Sequence, residues 1–186
     1  MGDFMLTADP FLGGYSQDFG AVELTEITDL SIVSLAMPLN GEPAFKKAVK
    51  TALGAPLPAP GMSHSVAPFA HLLRMSPDQF LALLPAATAP SALIKKIGAA
   101  GYCTDQSDNW VTLRIKGPSA KTALERICPV DLDPHAFPQG AFARTMMEHL
   151  GTIILNEGSD SFLLLSASSS CGSFLQAVET SINNIA

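Results

Sequence analysis

The chain has 186 residues and a formal net charge of −6, and only 15% of its residues are charged, against about 25% in a typical soluble domain. Binding to nucleic acid or to a membrane surface requires clustered Lys and Arg, and the longest basic runs are Lys46-Lys47 and Lys95-Lys96. The composition therefore argues against both functions. A surface with few charges suggests that a partner covers part of it, although an Ala- and Pro-rich composition alone would also lower the charge.

The sequence predicts a cytoplasmic location. Cys103, Cys128 and Cys171 are far apart and form no C-x-x-C pair, which is typical of reduced thiols. The first ten residues lack a basic region followed by an apolar stretch, so no secretory signal is expected. The most apolar window, 80–94, contains two prolines and is too short to span a bilayer.

Residues 1–28 are predicted to form an extended acidic arm. Residues 1–29 hold six acidic residues and no Lys or Arg, and these six account for the whole net charge. The arm also carries isolated aromatic residues: Phe4, Phe11, Tyr15 and Phe19. Aromatic anchors on such a segment fit docking onto a neighbouring chain, and they fit equally well a segment that folds back on its own surface.

A first half, 29–104, is predicted to alternate strands and helices. A helix over Glu42–Leu53 places Phe45, Val49 and Leu53 on one face and ends at Gly54, and a Pro-rich loop follows it. The other expected elements are strands over 32–37, 71–75, 79–84 and 102–104 and a helix over 91–100.

A second half, 105–186, repeats this order. A strand over 109–116 alternates cleanly, with Val111, Leu113 and Ile115 on one side. A helix opens at Gly117-Pro118 and is expected to stop near Cys128, because Pro129 follows. Strands are predicted over 141–147, 151–156 and 161–166, and a last helix over 171–183.

Three matches between the halves indicate an internal repeat. Val33-Ser34-Leu35 corresponds to Val111-Thr112-Leu113, Pro-rich loops end at Gly61 and Gly140, and the stretch 76–81 corresponds to 158–163. Two β-α-β-β-α units give an α+β fold with two similar ferredoxin-like halves and antiparallel sheets. Helices then cover one face of each sheet, and the opposite face is expected to be free to meet something else.

No motif for cofactor binding or catalysis stands out. There is no G-x-G-x-x-G after a strand and no P-loop, and Gly98 to Gly101 has neither spacing. Ser170-Cys171 beside His149 could suggest a nucleophile pair, but a Ser-rich run before a helix is more typical of an N-cap. The isolated histidines are His64, His71, His135 and His149, and the candidate acid or base carboxylates, better interpreted as turn residues, are Asp105, Asp108, Asp131 and Asp133. We therefore predict no catalytic, cofactor-binding or metal-binding residue on this chain.

Two long motifs resemble those of one family. The motifs are Q-S-D-x-W-V-x-L-x-x-x-G-P over 106–118 and C-P-x-D-L-x-P-x-x-F-P-x-G over 128–140, followed by Arg144-Thr145. They resemble the gamma subunit of heterotetrameric sarcosine oxidase, from about Ile32 to the C-terminus. The stretch from Ser168 to Cys171 departs from the usual family pattern.

The resemblance implies an accessory subunit of a bacterial flavoenzyme. That enzyme demethylates sarcosine oxidatively and passes the one-carbon unit to tetrahydrofolate or releases formaldehyde. The alpha subunit is then the main partner, with beta and delta subunits beside it, and FAD, FMN, NAD and zinc belong to those partners. The family also resembles folate-binding aminomethyltransferase domains, so a stand-alone folate-dependent aminomethyltransferase-like protein is one alternative, and a scaffold of another complex is a second.

Overall fold

The computed structural model describes residues 9–67 and 70–185, so Phe4 lies outside the described residues. The elements up to the middle of the chain are β1 (Ser16–Asp18), β2 (Glu23–Glu26), β3 (Leu30–Ala36), α1 (Glu42–Leu53), β4 (Ser63–Ala67), β5 (Ala70–Arg74), β6 (Gln79–Pro85), α2 (Pro90–Ile97) and β7 (Tyr102–Asp105). The remaining elements are β8 (Trp110–Lys116), α3 (Ala120–Glu125), β9 (Phe142–Met147), β10 (Leu150–Gly158), β11 (Ser161–Ala167) and α4 (Cys171–Asn183). The strands form two antiparallel sheets in the orders β4-β5-β6-β3-β7 and β1-β2-β8-β11-β10-β9.

Two helices cover the outer face of each sheet, and α1 shows why the sequence forms them. Its apolar positions fall on one side, so Phe45 and Val49 are fully buried, and the Phe45 ring packs 5.4 Å from that of Phe80. Gly54 ends the helix in the left-handed region at φ 74° and donates its N–H to the Lys50 carbonyl. The predicted bounds of α1 and α4 are confirmed.

Three predicted elements differ from the structure. Strand β4 follows the Pro-rich loop, where no strand was predicted, and it pairs with β5. Helix α2 ends at Ile97, because Gly98 has a positive φ of 53° and only a single 3₁₀ turn follows. Helix α3 ends at Glu125, and the chain leaves it through a tighter turn in which Ile127 N–H donates to the Leu124 carbonyl.

The inner faces of the two sheets pack against each other. The buried residues of this layer are Ile32, Leu73, Leu81 and Leu83 from the first sheet and Phe142, Ile153, Leu155, Leu163 and Leu165 from the second. The expectation that the face opposite the helices is free was therefore wrong for the centre of each sheet. The apolar inner positions of each half bury against the other half, since this removes them from water without a third body.

An approximate two-fold relation joins the halves where the Pro-rich loops meet. Ser63 N–H donates to the Gly140 carbonyl at 2.8 Å, and Phe142 N–H donates to the Gly61 carbonyl at 3.2 Å. Gly61 and Gly140 both have positive φ, 73° and 83°, which only glycine adopts at little cost. The repeat predicted for these loops is thus visible as a reciprocal contact.

Strand pairing extends this relation across both sheets. From Ser63 the pairs run through Leu73 to Leu81, and from Phe142 they run through Leu155 to Leu163. The predicted match of 76–81 with 158–163 is in this register. The first predicted match is shifted, because Ser34 pairs with Leu81 whereas Arg114 pairs with Leu163, so Val33 corresponds to Leu113 and not to Val111.

The fifth strand of each sheet, counted from β4 in the first and from β9 in the second, comes from a different part of the chain. Strand β7 follows α2 and pairs with β3, whereas β2 comes from the predicted N-terminal arm and pairs with β8 in the equivalent position. Of the two alternatives for the arm, folding back on the chain's own surface applies to Tyr15 and Phe19, which pack against the second half's core. The Tyr15 hydroxyl donates to Glu179 of α4, and burial together with that carboxylate raises the pKa of Tyr15.

Candidate functional site

The inner edge of the second sheet carries a cluster of charges, which we call the ionic face. It consists of Glu23, Arg114, Lys116 and Glu157. Arg114 donates Nε–H to Glu157 Oε2 at 2.7 Å and Nη2–H to Oε1 at 2.9 Å. This bidentate ion pair joins β8 to β10 across the intervening strand β11. Ser161 Oγ–H also donates to Glu157 Oε2, at 2.9 Å. Each oxygen of the Glu157 carboxylate is therefore occupied.

The ion pair shifts the pKa of both partners. Burial raises the pKa of Glu157, but the hydrogen bonds and charge of Arg114 and the Ser161 hydroxyl outweigh it, so this pKa lies below its ordinary value. The hydrogen bond to Glu157 raises the pKa of Arg114 further. A carboxylate held ionised by a bidentate guanidinium is a weak base, so the pair favours a structural role over proton transfer.

His71 reaches toward the ionic face from strand β5 of the first half. A small cavity of about 100 Å³ lies between His71, Asp29, Arg114 and Glu157. Burial lowers the pKa of His71, the charge of Glu157 opposes that shift and Arg114 adds to it. The buried Nδ1 of His71 has no hydrogen-bond partner in the described part of the chain.

The inner edge of the first sheet holds an open groove of about 340 Å³, which we call the apolar groove. Its lining includes Ala36, Met75, Gln79, Tyr102, Trp110 and Arg144. The side chain of Tyr102 is 71% exposed there. The Trp110 Nε1–H is buried without an acceptor among the described residues, and the structure gives Arg144 no ion pair with a described residue.

The ionic face and the apolar groove occupy equivalent places in the two halves. Because Leu81 and Leu163 correspond, the strand pairings give the groove residues of the first half counterparts in the second half. The corresponding pairs are Tyr102 and Glu23, Ala36 and Lys116, Ser34 and Arg114, Met75 and Glu157, and Gln79 and Ser161. The sequence did not reveal the Arg114–Glu157 pair, since Arg114 stands at an unspecified position of the 106–118 motif, Glu157 lies outside both motifs and 43 positions separate them.

The candidate carboxylates close turns. Asp105 Oδ1 accepts hydrogen bonds from Ser107 N–H and Oγ–H. Asp131 accepts the N–H of Asp133, and Asp133 accepts the N–H of His135 and contacts its Nδ1 at 2.9 Å. The hydrogen bond from the His135 backbone, followed by the one from its ring, lowers the pKa of Asp133. The interpretation of these three aspartates as turn residues is confirmed.

The serine run makes structural contacts, and two of the cysteines are shielded from solvent enough to shift their pKa values. Ser168–Ser170 form a 3₁₀ turn, and Ser168 Oγ–H donates to the Asp108 carbonyl at 2.9 Å. Ser170 occupies the N-cap position of α4 but makes no side-chain cap hydrogen bond, so that part of the prediction was wrong. Burial raises the pKa of Cys103 and Cys128, which favours the unreactive thiol.

Residues 9–67 and 70–185 contain neither a cluster of metal ligands nor a membrane-spanning helix. No group of three or more His, Cys, Asp or Glu side chains in these ranges could hold a metal ion. Within the same ranges, no helix has the length and apolar character needed to cross a membrane.

Comparison with known proteins identifies the family. The chain is 31% identical to the sarcosine oxidase subunit gamma of Arthrobacter sp over 150 residues, which cover 78% of this chain and 72% of that subunit. It is 32% identical to the subunit of the same name from Corynebacterium sp. (strain P-1), with the same coverage. The chain belongs to the sarcosine oxidase gamma subunit family. No protein-family model matches it.

The family motif C-P-x-D-L-x-P-x-x-F-P-x-G now has a structural explanation. Leu132 and Phe137 are buried in the second half's core, Asp131 and Asp133 close the turns between them, and Gly140 makes the reciprocal loop contact. The motif that carries the gamma subunit resemblance therefore builds the junction of the two halves.

Solved structures show the same fold. A chain of the heterotetrameric sarcosine oxidase from Corynebacterium sp. U-96, in complex with pyrrole 2-carboxylate, matches with a TM-score of 0.78 and 24% identity, covering 88% of this chain and 84% of that one. The glycine cleavage system aminomethyltransferase T from Bartonella henselae matches with a TM-score of 0.61 and 17% identity, covering 83% of this chain and 44% of that one. The predicted α+β, aminomethyltransferase-like fold class is confirmed, with an additional strand in the first half.

Proposed function

We propose that this chain is a non-catalytic gamma subunit that stabilises a heterotetrameric sarcosine oxidase. Membership of the gamma subunit family is the observation that carries the proposal. The alpha subunit is proposed as the main partner, with beta and delta subunits as further partners in the cytoplasm, where free thiols such as Cys103, Cys128 and Cys171 are expected. The low charge content of the chain fits a surface that companions cover.

The complex is proposed to convert sarcosine to glycine by oxidative demethylation and to pass the one-carbon unit to tetrahydrofolate. We assign FAD, FMN, NAD and zinc to the partner subunits. The residues described here do not fit zinc, since no cluster of suitable donor side chains occurs among them.

The chemistry of the buried polar residues supports a non-catalytic role. Glu157 is occupied by Arg114 and Ser161. The carboxylate of Glu26, which is only 7% exposed, accepts the backbone N–H groups of Leu12, Gly14 and Tyr15. Both carboxylates hold strands and loops in place, since each accepts three hydrogen bonds from groups of this chain.

The alternative of a stand-alone aminomethyltransferase-like protein is less well supported. The chain spans less than half of the Bartonella aminomethyltransferase, and that likeness concerns the fold alone. Neither that enzyme's activity nor a scaffold role in another complex is favoured by a feature of the described residues.

Co-expression of the companion subunits with and without this chain tests the proposal. We expect the complex to lose yield and thermal stability without the chain, while turnover per assembled flavin stays unchanged. The isolated chain should neither oxidise sarcosine nor bind tetrahydrofolate in isothermal titration. Turnover by the isolated chain, or an equally stable complex without it, would contradict the proposal.

A further inference from the structure

We propose that the apolar groove receives an extended segment of a companion sarcosine oxidase subunit, which places an apolar side chain against Tyr102 and a carboxylate at Arg144. The inference rests on the proposed function, since it names the surface through which the gamma subunit meets its partner.

The groove is incomplete on its own. Tyr102 is 71% exposed although its ring lies over a concave surface that Ala36 and Met75 also line. A large ring at the mouth of an apolar groove is a common hot spot of protein interfaces, because covering it excludes water from much apolar area at a small entropic cost. Met146, which is 52% exposed, lies two residues after Arg144 on β9 and therefore faces the same side of its sheet.

Arg144 specifies the charge of the occupant. Its side chain is exposed and makes none of the ion pairs that the structure shows among the described residues. The other inner-face arginine, Arg114, is fully paired with Glu157 of the same chain. An unpaired guanidinium beside an apolar groove is complementary to a carboxylate from another chain.

The open edge of strand β7 specifies the shape of the occupant. This strand pairs only with β3 and ends its sheet. Gln106 N–H donates to the Ile32 carbonyl, so the alternation along the strand turns the backbone groups of Cys103 and Asp105 toward the open edge. An extended segment can bond to those groups while its alternate side chains enter the groove, which is the mode of β-strand addition.

The ionic face shows how the equivalent place in the second half is filled. There the equivalent places are filled by charges that satisfy one another, Arg114 with Glu157. In the first half the equivalent positions hold Ser34 and Met75, which leave the groove apolar and without such a pair. The duplication therefore produced one closed edge and one receptive edge.

Competition for assembly tests the groove. Wild-type chain and a variant, carrying different tags, are co-expressed with the companion subunits, and the ratio of the tags in the purified complex is measured. We expect Tyr102→Glu and Arg144→Glu each to enter the complex at about one tenth of the wild-type level, as for loss of an interface hot spot. The matched controls are Leu39→Glu, at a residue 93% exposed and outside the groove lining, and Lys50→Glu on the outer helix α1. Both controls should enter nearly as well as wild type.

The outcomes separate this inference from the proposed function. Absence of wild-type chain from the complex would refute the proposed function itself. Wild-type assembly together with undiminished entry of both groove variants would overturn the groove proposal alone. Sedimentation of the isolated chain checks a second copy as occupant: a dimer that Tyr102→Glu dissociates, with assembly unaffected, would also overturn it. Thermal unfolding of each isolated variant identifies any loss of assembly that comes from misfolding.

Discussion

Tyr102 and Glu23 stand at equivalent positions on the fifth strands of the two sheets, yet their surroundings differ. Tyr102 lies in an open apolar groove, whereas Glu23 pairs in register with Lys116 beside the Arg114–Glu157 ion pair. The strands that carry them also differ in origin, since β7 belongs to the first half and β2 comes from the N-terminal region. The equivalent place is thus filled by charged side chains of this chain in the second half and left open in the first half.

The two halves share their central inner-face packing and differ at the edges of their sheets. Inner-face positions at the centre of both sheets are apolar and bury against each other. Away from this centre the two halves differ, with a charged surface in the second half and an apolar surface in the first. Substitutions at the edges can therefore change partner binding or stability without disturbing the central layer.

The largest effect is expected from breaking the ion pair of the ionic face. Arg114→Ser leaves the Glu157 carboxylate, which is 17% exposed, without its cation. Breaking a fully buried pair costs about 3–5 kcal/mol, and because Arg114 is partly exposed we expect about 2–3 kcal/mol in the free energy of unfolding. Urea unfolding at neutral pH measures this change.

A double variant sharpens the comparison between the halves. Arg114→Ser with Glu157→Met copies the residues Ser34 and Met75 of the apolar groove. We expect it to be more stable than Arg114→Ser alone, since no charge is left unpaired. A double variant that loses the sum of the two single changes would show that the pair does not interact as described.

A smaller effect is expected at the strand that the second half takes from the N-terminal region. Glu26→Ala removes the acceptor for three backbone N–H groups, those of Leu12, Gly14 and Tyr15. We expect a loss of about 2 kcal/mol, because hydrogen bonds to a charged group contribute about 1.5–3 kcal/mol. Hydrogen exchange should become faster in β1 and β2 and remain unchanged in β7, which has the equivalent place without this support. Equal acceleration in β7 would indicate global destabilisation and no local release.

Local sequence patterns predicted the elements but not the layer between the sheets. The apolar spacing in α1 and the glycine after it set the helix bounds, since both signals act within one or two turns. The alternation in β8 identified one buried side, but Thr112 on the other side is only 4% exposed, because a second sheet covers it. A strand buried on both faces cannot be distinguished from a half-buried one when its second face is polar.

The functional surfaces were harder to predict for the same reason. The Arg114–Glu157 pair and the apolar groove both arise from contacts between residues far apart in the chain. The family motif C-P-x-D-L-x-P-x-x-F-P-x-G was easier to recognise in the sequence, because it is a continuous run that builds one junction. A division of the sequence into two halves did not predict the place of strand β2, since residues before the first half complete the sheet of the second half.

The smallest effect is expected from His71, which has Ile153 as its counterpart in the other half. Burial lowers the pKa of His71, so below its ordinary pKa of about 6.5 the unfolded chain binds a proton that the folded chain does not. The free energy of unfolding should therefore fall as the pH drops from about 7 toward 5. Glu157, whose pKa is also lowered, contributes stability above its ordinary pKa of about 4.3 and loses it at lower pH. His71→Ile should flatten the first decline and leave the second, as unfolding at several pH values would reveal. If the variant and the wild type lost stability in parallel between about pH 7 and 5, some group other than His71 would be responsible for the decline.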